Sequence, residues 1–144
     1  MNSIRVDGLD KLIKKLREVR ADADTVIEKG LLKAGNKVRN KAVLLCPVDT
    51  GELRGSIQVE KIAPLTVAVG TNKEYAPFVE YGTGTQGDPA VPHTTKEYWR
   101  YQDENGNWHT SHGHPAQPFL RPAVDPDEIT DTVSDVVRSA INNA

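Results

Sequence analysis

Cys46-Pro47-Val48-Asp49-Thr50-Gly51-Glu52-Leu53-Arg54-Gly55-Ser56-Ile57 divides the chain into two kinds of pattern. Before it, apolar residues recur at helical spacing; after it, they alternate. Pro47 has no N–H to donate and pushes Cys46 out of helical geometry, so a helix ends there. Asp49 and Thr50 can each accept a bond from a nearby backbone N–H, and Gly51 tolerates positive φ, so the chain can reverse. Pro47, Asp49, Thr50 and Gly51 are therefore read as a structural corner from helix to strand. A nucleophilic Thr50 or a basic Asp49 would need a base or oxyanion partner, and none stands nearby in the sequence.

Working back from the corner, Ile27, Leu31, Ala34, Val38, Ala42 and Leu45 keep a helical step. Gly30 and Gly35 interrupt it, and each lowers helicity by about 1 kcal/mol relative to Ala. Two readings stand for them: close packing against another backbone, or tolerated weakness. Lys29, Lys33, Lys37 and Lys41 are spaced four apart on one face, a solvated surface or a surface for an acidic partner or DNA phosphates. Further back, Leu9, Leu12, Ile13, Leu16 and Val19 form the stripe of a first helix, with Asp7 as its N-cap. Ala21-Asp22-Ala23-Asp24 marks either a short turn or a kink, with an aspartate capping the second helix.

Forward from the corner, Ile57 and Val59, then Val67 and Val69, alternate with polar residues around Ala63-Pro64-Leu65. These are two antiparallel strands. Pro77 suits the first turn of a short helix that Gly82 stops, and Tyr75, Phe78 and Tyr81 share its core or subunit-contact face. Gly82-Thr83-Gly84-Thr85-Gln86-Gly87 lacks the Lys-Ser/Thr and preceding strand of a phosphate loop. Residues 85–115 are the least core-like. Within them Asn105-Gly106 marks a hairpin whose strands carry Tyr98, Trp99, Tyr101 and Trp108, with aromatics crossing between the strands. Alternation places Tyr98 and Arg100 on one face, Trp99 and Tyr101 on the other. Those four aromatics are the expected partner or subunit interface. His93, His109, His112 and His114 lie in or beside this arm, but their spacings match no zinc pattern and no cysteine is near. Asp125 caps a last helix with Pro126 at its first position, and Glu128 completes a capping box. Its buried face is Ile129, Val133, Val136, Val137, Ala140 and Ile141.

The 144 residues suit one domain, 1–144, with 85–115 as an arm within it. Net charge is −2, which provides no global basic field for nucleic acid. No apolar run reaches membrane-span length and the N-terminus lacks a signal-peptide core. The single Cys46 excludes an internal disulfide and fits a reducing compartment. Residues 125–144 carry five acids against Arg138, while residues 9–45 carry ten bases against five acids. The last helix is therefore expected beside the long one, or facing the basic row of a neighbouring copy. The expected fold is α+β: a small antiparallel sheet packed by a long helix of the N-terminal half and a C-terminal helix, with a protruding β-hairpin arm.

Three segments in order carry a family resemblance. They are Pro47 to Ile57; then Val69-Gly70-Thr71-Asn72 with Tyr75-Ala76-Pro77-Phe78-Val79-Glu80-Tyr81-Gly82-Thr83; then Ala116-Gln117-Pro118-Phe119-Leu120-Arg121-Pro122-Ala123. Set between a helical N-terminal half and a C-terminal helix, they resemble neck or tail-completion proteins of long-tailed double-stranded DNA phages and prophages. The arm is longer than that family's minimal loop. The resemblance implies a non-enzymatic structural protein, and the residues themselves offer no cofactor, metal or membrane site. It implies a homo-oligomeric ring that meets head-connector and tail proteins and lets DNA pass without binding it specifically. It also implies host cytoplasm during assembly, then the virion. Two rivals read the residues differently: a nucleic-acid module using the lysine row and the aromatic arm, and a hydrolase or metalloenzyme using the arm histidines.

Overall fold

Pro47 does stop the long helix. In the computed structural model, which describes residues 8–144, α1 spans Asp10–Val19 and α2 spans Ala23–Leu45, with Cys46 extended at the end of α2. The reading of Asp7 as a cap lies outside the described residues. Asp22 stands at the start of α2, but its carboxylate does not cap: it accepts two bonds from the Arg20 guanidinium at 2.8 and 2.9 Å. The bidentate partner outcompetes the backbone N–H groups.

The corner holds one more element than its sequence suggests. Gly51 adopts φ +85°, and its reversal launches a single helical turn, α3 (Glu52–Gly55), before the first strand. Thr50 Oγ1 accepts from Glu52 N–H at 3.3 Å, as its residue type suggests. Leu53 and Ile57 point from this turn into the core. A Cβ at Gly51 would meet nothing within 4 Å, so strain alone opposes a side chain. Gly51→Val is expected to destabilise the protein by about 1–3 kcal/mol. An unchanged midpoint in urea would contradict this.

Strands β1 (Gln58–Ala63) and β2 (Thr66–Gly70) pair antiparallel, Val59 opposite Val69 and Lys61 opposite Val67. Pro64-Leu65 is the reversal, and Leu65 carries an unfavourable φ of +53°. Glu28 of α2 holds it there, accepting from Leu65 N–H at 3.2 Å and pairing with Lys61 at 2.9 Å.

Beyond the sheet come α4 (Ala76–Tyr81), a 3₁₀ turn at Gly84–Gln86, the hairpin strands β3 (Trp99–Gln102) and β4 (Trp108–Ser111), a second 3₁₀ turn at Arg121–Ala123, and α5 (Pro126–Asn142). The fold is α+β, as the pattern implied, with α2 as its spine. Leu16, Val26, Ile27, Ala34, Val133 and Val137 fill the space between α1, the first half of α2 and α5. Val38, Ala42, Cys46, Leu53, Ile57 and Phe119 form a second cluster at the other end of α2. Ile129 packs against both.

The two helix glycines are sites of close packing. Gly30 lets α5 approach: a Cβ there would sit 3.4 Å from Val133 Cα. Gly35 admits the sheet, and a Cβ there would fall 2.9 Å from Val59 Cγ1 and 3.1 Å from Val67 Cγ1. Gly35→Ala is expected to cost about 1–3 kcal/mol by overpacking, only partly offset by a propensity gain of about 1 kcal/mol. A more stable variant on thermal melting would show that the sheet yields.

α5 lies beside α2, one of the two positions its charge suggested. Asp125 caps it, accepting from Asp127 N–H at 3.1 Å and Glu128 N–H at 3.3 Å. The capping box is not completed, because the Glu128 carboxylate turns to Lys41 instead. The lysine row divides for a geometric reason. Steps of four residues drift round a helix by about 40°. Lys29 and Lys33 therefore remain in solvent, while Lys37 reaches Thr132 Oγ1 at 3.0 Å and Lys41 meets Glu128.

Candidate functional site

Chemistry-bearing residues separate into a buried anchor and an exposed arm. No sequence motif marks the anchor. Glu80 occupies the last turn of α4 and is 3% exposed. Its Oε2 accepts from Phe119 N–H (2.8 Å) and Leu120 N–H (3.0 Å). Its Oε1 accepts from Arg121 N–H (2.9 Å) and from Arg121 Nε (3.0 Å). Arg121 also donates to the Glu80 carbonyl and to Asp88 Oδ2, and its guanidinium lies 4.5 Å from the centre of the Tyr81 ring. Burial pushes the Glu80 carboxyl upward, but the N–H donors of Leu120, Phe119 and Arg121, with the Arg121 side chain, outweigh it and hold it below its usual range. One carboxylate thus ties Tyr75–Thr83 to Ala116–Ala123, two segments that sequence reading could place only in order.

The same junction fixes the arm. Thr83 and His114 exchange backbone hydrogen bonds at 2.8 and 3.2 Å. Gln117 N–H donates to Val79 O at 2.8 Å, and Gln86 Nε2 donates to Gly113 O at 3.2 Å. The two segments approach so closely that a Cβ at Gly82 would fall 2.6 Å from Ala116 N, and one at Gly113 would overlap the Thr83 carbonyl. Trp99 is half-buried with its ring over Gly84, where a Cβ would come within 3.0 Å of it.

Outward from that base the hairpin pairs Trp99 with Ser111, Arg100 with Thr110, Tyr101 with His109 and Gln102 with Trp108. Its aromatics do not cross onto one another as expected. Instead Tyr101 stacks on His109 at 5.4 Å, Arg100 lies over Trp108 at 5.2 Å, and Tyr98 leans on His112 at 6.1 Å. Tyr98, Tyr101 and Trp108 thus each meet a histidine or a cation, and cation–π and stacking contacts stand where aromatic pairs were expected. At the tip, Asp103 Oδ1 accepts from Asn105 and Asn107 N–H, and Gly106 takes φ +82°. The hydrogen bond from His109, followed by the N–H donors of Asn107 and Asn105, holds the Asp103 carboxyl below its usual range.

Tyr98, Tyr101 and Trp108 remain exposed, Trp108 at 60%. Tyr75, just before α4, and Phe78 within it are exposed too, so that face is not core. The histidines are spread along the arm, and no group of three or more potential metal ligands converges among the described residues. At the corner, Asp49 and Thr50 are exposed, Thr50 serving the turn. The recess between α2 and α5, lined by Ala34, Lys37, Val38 and Thr132, has no room for a water molecule. No helix among the described residues is long and apolar enough to cross a membrane.

Residues 10–82 match the family model described as "Bacteriophage HK97-gp10, putative tail-component", just over half of the chain. The chain belongs to the HK97-gp10-like family. The matched span runs from α1 through α4 and contains the corner, the β1–β2 sheet and Glu80. The arm, Arg121 and α5 lie beyond it, so the carboxylate inside the HK97-gp10-like region is completed by a segment outside it. No curated protein and no solved structure gives a significant match. Membership makes the chain a structural phage component of the tail class, and the first two of the three resemblance segments fall in or at the edge of the matched span, while Ala116–Ala123 lies outside it.

Proposed function

We propose that this tail-family chain is a subunit of the head–tail junction, where a ring of identical copies completes the tail or joins it to the head. The observation that carries the reading is the arm: clasped at Thr83–His114, it holds Tyr98, Tyr101 and Trp108 out in solvent. Exposed aromatics on a fixed support suit an interface, because little conformational entropy is lost when they are buried. The role is non-enzymatic, exercised in the host cytoplasm during assembly and then in the virion, with head-connector and tail proteins as neighbours. DNA passes the ring without specific recognition.

The test is reconstitution. Heads and tails from a phage lacking this gene should yield infectious particles only when the purified protein is added. Equal yields without it would refute the proposal. A second measurement addresses chemistry. Protein purified without a histidine tag should carry no stoichiometric zinc, and His109→Ala, His112→Ala and His114→Ala should abolish no hydrolase turnover. One-to-one zinc lost on such a change would favour the metalloenzyme instead.

A further inference from the structure

Lys41, Glu28, Glu80 and Arg121 pair their charges within the subunit, and Lys37 hydrogen-bonds Thr132. Two rows of opposite sign do not. On α5, Asp127, Asp131 and Asp135 recur every four residues, are exposed, and have no ion-pair partner among the described residues. On α2, Lys29 and Lys33 recur at the same interval, also exposed and unpaired among the described residues, with the exposed Leu32 beside them. Like charges four residues apart destabilise the helix that carries them. Neither row can relieve the other within one subunit. Helical spacing sets the Asp131 side opposite the Val133–Val137 face, and it is that apolar face which packs towards α2.

We propose that the aspartate row of α5 docks, head to tail, on the Lys29–Lys33 row of a second copy of this chain. The proposal rests on the ring reading above and names the surfaces that set the ring's register. Both rows have the same period, about 6 Å between neighbouring side chains, so two lysines can interlock with three aspartates. Such charges govern register and association rate, while apolar contacts supply most of the affinity. Because the two rows are different surfaces, the contact is heterologous and repeats around an axis until it closes.

Charge reversal on the full-length chain tests it by sedimentation velocity. The variants are Lys29→Glu with Lys33→Glu, and Asp131→Lys with Asp135→Lys; Asp127 is spared because it lies in the first turn of α5. Circular dichroism checks that both fold. The wild-type chain should form species larger than a dimer, and each variant alone should assemble about ten-fold more weakly or worse. An equimolar mixture should recover assembly, since one variant is acidic on both surfaces and the other basic on both. Variants that assemble like the wild type would overturn the docking rows while leaving the ring standing. A wild-type chain that stays monomeric at every concentration would overturn both.

Discussion

Glu80→Ala is expected to lower stability by about 3–5 kcal/mol, more than Gly51→Val or Gly35→Ala. The loss comes chiefly from the donors left behind. Three consecutive N–H groups, on Phe119, Leu120 and Arg121, point at this carboxylate, and Phe119 is fully buried beside it. Arg121 itself reaches water and keeps Asp88, so its stranded charge adds less. The melting temperature should fall by roughly 10 °C or more. A loss under about 1 kcal/mol in urea unfolding would show that the segment 119–121 finds other acceptors.

The same site sets a pH dependence. A carboxyl whose pKa is lower folded than unfolded stabilises the protein above its unfolded value, about 4.3. That contribution is lost as pH falls through the folded value. The wild-type protein should therefore lose stability below about pH 4.5, and Glu80→Gln should lose less over the same range. Comparing the two isolates Glu80 from Asp88 and Asp103, whose carboxyls are also held low. Parallel melting curves of the two proteins from pH 7 to pH 3 would contradict the assignment.

Trp108→Ala should leave the body folded and weaken assembly by about 2 kcal/mol or more, roughly thirty-fold. Trp108 lies on the outer strand end, touching Arg100 and otherwise facing water, so its removal opens no cavity in either apolar cluster. Trp99→Ala should act differently. Its ring covers Gly84 at the base of the arm, and truncation would loosen the clasp as well as any contact. Helical circular dichroism should be unchanged for Trp108→Ala, with particle yield reduced. Deleting residues 96–110 should abolish head–tail joining altogether. Full particle yield from that deletion would remove the arm from the interface, and unfolding by Trp108→Ala would place that ring in the core.

What sequence alone determined was chemistry that acts within a few residues. Pro47 cannot continue a helix, Gly51 can take positive φ, Val59 and Val69 alternate, Asn105-Gly106 turns a hairpin, and Asp125-Pro126 starts a helix wherever they occur. Backbone sterics and missing donors decide such features before any tertiary contact forms. Only the tertiary structure decided the rest. Glu80 reads as one more acid in a short helix until the chain returns forty residues later with three unpaired N–H groups. Glu128 completes a capping box on paper, yet Lys41 lies within reach from another helix and a full charge attracts it more strongly than an N–H. Four lysines look equivalent along one sequence period, and the drift of the helix against its neighbour brings two of them to α5 and leaves two unpaired among the described residues. In each case the local pattern offers a group, and which partner it takes depends on what long-range packing brings beside it.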